Sequence, residues 1–425
     1  MKSGNILLSL FFMLAVAGCG GGGSSSSTSA NTTTASTTSP TSSISTTTTS
    51  VQAAINVLPI TVNGAVCNAY QNEPCVDVTV CTPGTSNCQT ISGILLDTSS
   101  FGLRIFKQAL NVPLKQVSTA SGSLAECVTF ADNTTKWGPV QTAGVILGNE
   151  PAVQVPVQVI DYSFSSEGAA VCYNAEKSPS DAGFNGILGI GAFIQDCGST
   201  CASSAVGEYY SCNGATCLGT TVSTNNQVQN PVPFLPADNN GVIIQLPAVP
   251  AAGSVSLSGS VILGIGTQAN NSPSGVTAYP LNSVGEFNTE FNNVLYSGSF
   301  IDTGSNGLFF PSPYNASSGP YAGLLQNCTG TSNPYWFCPT STTSLSAVIF
   351  GAATNAIGTT LPFQIGNFES LTASSSNRVF NDIGGSPNAG GNVFDWGLPF
   401  FLGRSVYIGI YGKSSSLGNG PYFAY

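Results

Sequence analysis

Apolar and polar positions alternate over short stretches along most of the chain. Pro156-Val157-Gln158-Val159 and Pro362-Phe363-Gln364-Ile365 are examples, and Gly, Pro, Ser and Thr separate one run from the next. This period-2 pattern with frequent breakers predicts a mostly β protein. The N-terminus departs from it. Ile6–Val16 is one apolar run, and residues 20–52 are almost entirely Gly, Ser, Thr, Ala and Asn without a charge. Such a segment has nothing to bury and reads as a tether with a reach of roughly 30 Å.

Lys2, the short apolar run and the small residues Val16-Ala17-Gly18-Cys19 make a secretory signal. Val-Ala-Gly-Cys resembles a bacterial lipobox, which implies cleavage after residue 18 and a lipid on the Cys19 thiol. The alternative is an ordinary signal peptide with an incidental Cys. Gly20 in place of Asp favours the outer membrane. The expected organisation is a signal peptide over 1–18, a lipidated Cys and tether over 19–55, and β lobes over 56–253 and 254–425.

Composition narrows the chemistry. Of 425 residues only 9 are Lys or Arg and 19 Asp or Glu, so 7% are charged, against roughly 25% in an ordinary domain. The absence of His excludes Ser–His and Cys–His catalysis and His-ligated metal. So few cations make nucleic acid an unsuitable partner. With 42% hydrophobic residues, the chain has enough apolar side chains for sizeable cores. Apart from Cys19 there are twelve cysteines, an even number that suits six disulfides in an oxidising compartment. Proximity pairs Cys67 with Cys75, Cys81 with Cys88, Cys197 with Cys201, Cys212 with Cys217 and Cys328 with Cys338, leaving Cys127 for Cys172. Crossed pairs within 197–217 fit equally well. A Cys-only metal site is the weaker reading, since no CxxC occurs.

The chain repeats itself. Ile94-Leu95-Leu96-Asp97-Thr98-Ser99-Ser100-Phe101-Gly102-Leu103 matches Ser299-Phe300-Ile301-Asp302-Thr303-Gly304-Ser305-Asn306-Gly307-Leu308, with the two Asp residues 205 positions apart. Val145-Ile146-Leu147-Gly148 matches Val348-Ile349-Phe350-Gly351, and each precedes one of the alternating strands quoted above. Ile187-Leu188-Gly189 is matched to Phe401-Leu402-Gly403. Matches in one order at nearly one offset predict a tandem duplication.

In these motifs the chain resembles the pepsin-like aspartic proteases, and an uncharacterised group of bacterial lipoproteins of the same design. The resemblance implies an all-β, bilobed, double-barrel fold with an active-site cleft between the lobes. Phe184–Ile190 resembles the family's first-lobe Gly strand, Pro399–Arg404 the second-lobe strand, and Ser260–Gly266 the strand that opens the second lobe. It implies catalysis by Asp97 and Asp302 through an activated water. Thr98, Ser99, Ser100, Thr303, Gly304 and Ser305 would support the carboxylates, and a hairpin flap over Cys127–Gly138 would carry Phe130 and Trp137. No cofactor or metal is needed. The partner would be an extended peptide, the membrane would be touched only through the N-terminal lipid, and the protein would be a monomer.

Three residues depart from the family pattern. Ser99 stands where the family has Gly, Phe130 where the flap has Tyr, and Arg104 where that Tyr finds a Trp. The alternative to an acid endopeptidase is therefore a peptide-binding lipoprotein with weak or absent catalysis. A structural envelope protein fits the tether but leaves the Asp pair unexplained. The Gly-rich Gly186–Gly191 run has no βαβ context for a dinucleotide. Asp132, Asp196 and Asp395 read as surface or turn carboxylates. Trp137 and Trp396 read as core or flap packing, and Cys197–Cys217 as a stapled loop.

Overall fold

Val76, Val78 and Val80 show why this chain makes strands. They alternate with Asp77 and Thr79 along Pro74–Cys81, and each Val is buried. β-branched residues at period 2 fit a sheet with one face on a core. The computed structural model describes residues 54–329, 334–353, 358–373, 376–387 and 393–425. Cys19, the signal segment and most of the tether lie outside the described residues.

The described chain is all-β with a few helices of four or five residues. One sheet runs through sixteen strands and a second through seven. The larger sheet curls on itself. Starting from Thr135–Ile146, neighbouring strands are Val153–Ile160, Phe101–Phe106, Gly186–Ile190, Cys88–Asp97 and Pro74–Cys81, and the last pairs back to the first. That closure makes a barrel filled by Val, Ile and Leu side chains. From this barrel the sheet continues through Val57–Val62, Leu257–Leu263, Gly241–Leu246, Arg404–Gly409 and Tyr422–Ala424. The seven-stranded sheet contains Thr359–Ile365, Thr343–Phe350, Phe287–Phe291 and Val294–Ile301, over an aromatic core that includes Phe291, Phe310, Phe394 and Trp396.

Six disulfides are formed in the pairing that proximity suggested, uncrossed within 197–217 and with Cys127 joined to Cys172. The 197–217 segment is more than a stapled loop. It contains a short helix and a hairpin whose strand Tyr209–Asn213 pairs with Ser123–Thr129, widening the sheet. Among the described residues no helix is long and apolar enough to cross a membrane.

One sequence match falls in the wrong place. Leu398–Phe401 is a short, fully buried helix, and Arg404–Gly409 pairs with Gly241–Leu246, not with the strand before Asp302. The strand that runs parallel to Val294–Ile301 is Asp395–Trp396, with Phe300 opposite Asp395 and Ile301 opposite Trp396. An apolar run alone does not separate a buried helix from a buried strand.

Candidate active site

Two parallel strand pairs set the site. Cys88–Asp97 lies beside Gly186–Ile190, with Asp97 opposite Gly189. Val294–Ile301 lies beside Asp395–Trp396, and the next residue, Asp302, donates its amide to Trp396 O at 3.0 Å. Gly189 and Gly397 back the two turns closely. A Cβ on Gly189 would lie 2.6 Å from Phe101 N, and one on Gly397 would lie 2.0 Å from Gly307 O.

Each turn folds its donors onto its own carboxyl. Asp97 Oδ1 accepts the Ser99 amide at 2.8 Å, the Ser99 hydroxyl at 3.1 Å and the Ser100 amide at 3.0 Å, and Oδ2 accepts the Ser100 hydroxyl at 2.6 Å. Asp302 Oδ1 accepts the Gly304 amide at 2.7 Å and Oδ2 the Ser305 hydroxyl at 2.8 Å. The turns are also locked to each other. Thr303 donates its amide to Thr98 Oγ1 at 3.0 Å and its hydroxyl to Leu96 O at 2.7 Å, while the Thr98 hydroxyl reaches Ile301 O at 3.4 Å. Thr98 and Thr303 are buried, so these bonds form where water does not compete.

The carboxyls of Asp97 and Asp302 therefore meet. A Cβ on Gly304 would fall 3.1 Å from Asp302 Oδ1 and 3.2 Å from Asp97 Cγ, so glycine leaves the space between them open. Asp302 is held well above the usual carboxylate range, first by burial, then by the charge of Asp97 and the hydrogen bond between the two. Bonds from Ser305 and Gly304 oppose the rise without cancelling it. Two carboxyls in contact share a proton in this way.

Both line a cavity of about 520 Å³. Its roof is the tip of the hairpin made by Ser123–Thr129 and Thr135–Ile146, from which Phe130, Ala131 and Asp132 face in. Its walls include Tyr70, Phe184, Phe300, Phe309 and Trp336. A second cavity of about 340 Å³ shares Ser99, Phe130, Ala131 and Phe300 with the first, so the two flank the same turn.

Phe130 and Arg104 lie together in the structure. Arg104 is almost fully buried, and its Cζ lies 5.9 Å from the Phe130 ring centroid. Nη2 reaches Glu126 at 2.7 Å and Asp196 at 2.8 Å. Burial works against the guanidinium charge, but Glu126 and Asp196 outweigh it and hold the group more firmly protonated than usual. Lys136 stands 5.2 Å from the same ring and pairs with Glu176 at 2.6 Å. The hairpin tip is thus held by cations on an aromatic face, which needs no phenol hydroxyl.

Asp132 is exposed in the turn, as the sequence suggested, but Asp196 and Asp395 are not surface carboxylates. Asp196 accepts from Arg104 and from the Tyr209 hydroxyl at 2.7 Å. Asp395 is 5% exposed and lines the larger cavity. Trp137 lies in the hairpin but points inward, donating its indole N–H to Phe164 O at 2.7 Å, and Trp396 is buried in the aromatic core. Tyr70, Lys136 and Asp395 were not found as site residues from sequence. A signal existed for Asp395: Gly397 follows Gly189 by 208 positions, nearer the 205 of the Asp pair than Gly403 is.

Carboxylate oxygens of Glu126, Asp196 and Glu208 lie within 4.8 Å of one another. Arg104 already supplies the cation for two of them. The other acid groupings combine one Glu with disulfide sulfurs, which offer no thiolate.

The fold and site together define a class: an all-β protein with barrel-like sheets that joins two Asp-Thr turns through their threonines and sets two carboxyls side by side in a cavity. Over residues 52–425 the chain matches the family described as protein of unknown function (DUF3443), and it belongs to that family. No curated protein matches it.

Proposed function

We propose that the protein is a pepsin-like aspartic endopeptidase of the bacterial envelope, with two lobes from an internal duplication and the peptide bound in the cleft between them. One observation carries this reading: the carboxyls of Asp97 and Asp302 meet beside Gly304 in one cavity, each within a turn that supplies its own donors.

Asp97 accepts four hydrogen bonds and carries the pair's negative charge, while Asp302 holds the proton. A water between them gives a proton to Asp97 and attacks the peptide carbonyl carbon as Asp302 protonates the carbonyl oxygen. The resulting gem-diol collapses: the C–N bond breaks, the amine nitrogen takes the proton from Asp97, and a diol proton returns to Asp302. The aromatic walls of the larger cavity favour a bulky apolar side chain beside the cleaved bond. Cys19, in this reading, carries the lipid that ties the protein to the membrane, with the peptide as its only other partner.

The test is cleavage of denatured protein between pH 3 and 7 by the wild type, Asp97→Asn and Asp302→Asn, with and without a statine-type inhibitor. Cleavage by the wild type alone, blocked by the inhibitor, supports the reading. Equal cleavage by all three overturns the mechanism. No cleavage by any of them, with a statine peptide still bound, makes the protein a peptide-binding lipoprotein.

A further inference from the structure

A third buried carboxyl lines the cavity beside the pair. Asp395 stands opposite Phe300 in the parallel pair, two residues before Asp302, and opposite Phe309 on its other side. The corresponding place beside the Asp97 strand, opposite Leu95, is taken by Ile187. One half thus has an aliphatic side chain where the other has an acid. Asp395 is 5% exposed, and its Oδ1 is buried with no hydrogen-bond partner. A charged carboxylate with an empty oxygen in such a place is costly, and the neutral acid is the form that survives there. Ser305 lies beside both acids: its hydroxyl donates to Asp302 Oδ2 at 2.8 Å, it lines the same cavity as Asp395, and its carbonyl accepts the amide of Leu398, three residues on from Asp395, at 2.7 Å.

We propose that Asp395 is a positioning residue for the Asp97–Asp302 pair: as the neutral acid it donates to the Ser305 oxygen and so holds the Ser305 hydrogen on Asp302. This rests on the reading of the pair as a hydrolytic site. The order of donors is Asp395 O–H to Ser305, then Ser305 O–H to Asp302, with every proton used once. Burial, then the charge of Asp302, pushes the Asp395 carboxyl well above its ordinary range, in keeping with this order. Asp302 and Asp97 face it directly, and Tyr70, Tyr335, Asp132 and the Lys136–Glu176 pair share the cavity wall. The site therefore carries two protons on three carboxyls, one more than a lone pair would hold.

The test has two arms on the full chain. In the first, pH-dependent infrared difference spectra count protonated carboxyls for wild type, Asp395→Asn and Asp302→Asn. The expected result is one protonated carboxyl at neutral pH lost in each variant, with the survivor titrating at lower pH than in the wild type. The second arm is kinetic. Asp395→Asn, which still donates to Ser305, keeps kcat within about threefold at acid pH and moves the alkaline limb of the pH profile to lower pH. Asp395→Leu, which cannot donate, loses at least tenfold in kcat with KM little changed. A surviving carboxyl that titrates as in the wild type, or Asp395→Leu with wild-type kcat and pH profile, overturns the proposal. If no protein cleaves peptide, the hydrolytic reading fails, and the infrared arm still decides whether Asp395 shares protons with Asp302.

Discussion

Ser99 donates twice to Asp97 Oδ1, through its amide at 2.8 Å and its hydroxyl at 3.1 Å. The Ser99 side chain therefore adds a donor and leaves the amide in place. Ser99→Gly is expected to keep kcat/KM within about threefold, because the amide remains. Ser100→Ala removes the hydroxyl that donates to Asp97 Oδ2 at 2.6 Å, and a bond to a charged group is worth about 1.5–3 kcal/mol. A fall of roughly ten- to hundredfold in kcat/KM is expected on a peptide substrate. Equal effects of the two substitutions would show that Ser99 does not spare the turn.

Gly189 and Gly397 give the second prediction. Either one replaced by Ala puts a Cβ within 2.6 Å of backbone, and neither neighbour is the end of a movable side chain. Overpacking of this kind costs about 1–3 kcal/mol or more. Thermal unfolding should show a lower Tm for both. Statine-peptide affinity should fall with it, since each Gly lies behind one carboxyl.

Arg104 is the third. Removing one partner of a buried ion pair strands the others and costs about 3–5 kcal/mol. Arg104→Met leaves Glu126 and Asp196 without a cation and Phe130 without the guanidinium beside it. The loss of stability should be large at pH 8 and smaller at pH 5, where the stranded carboxylates take up protons. Calorimetry at the two pH values checks this.

The pH dependence of the wild type is the fourth. Burial, then Glu126, raises Glu208 to about 7, and burial raises Asp382 to about 6. Burial also raises Asp196, Asp302 and Asp395. A carboxyl raised in the folded chain binds more protons than the unfolded chain between its ordinary value and its raised one. Stability therefore falls as pH rises through that window. Asp161 opposes the trend: burial raises it, but the Lys107 and Ser163 bonds outweigh that and lower it. With more groups raised than lowered, Tm should climb from pH 8 to pH 5. A Tm maximum at or above pH 7 would contradict this.

These groups also show which features are legible in a sequence. The Asp-Thr turns were legible because their chemistry is local: donors two and three residues on bind the carboxyl. The disulfides were legible because five of the six close short loops. The second-half Gly strand was misplaced because Asp395–Trp396 is only two residues long, too short for a period. The denser apolar run after it is a buried helix. The partners of Arg104 lie 22 and 92 residues away, so no spacing rule gathers them, and Asp196 and Asp395 looked like turn residues. Of the nine cations, Arg104 and Lys136 are both buried in pairs that pin the hairpin roof.

The order of strands in the larger sheet has a consequence for synthesis. Val57–Val62 lies between Pro74–Cys81 and Leu257–Leu263, and Gly241–Leu246 lies between Leu257–Leu263 and Arg404–Gly409. Early and late segments thus interleave, and neither 56–253 nor 254–425 alone keeps the ladder that joins them. A chain still leaving the ribosome holds Asp97 long before Asp302 exists, and the sheet spanning both waits for strands within the last two dozen residues. Contacts of such sequence separation form late and slowly. Under the hydrolytic reading, unfinished or truncated chains are therefore inert, and the enzyme acquires its paired carboxyls only at the end of its own making.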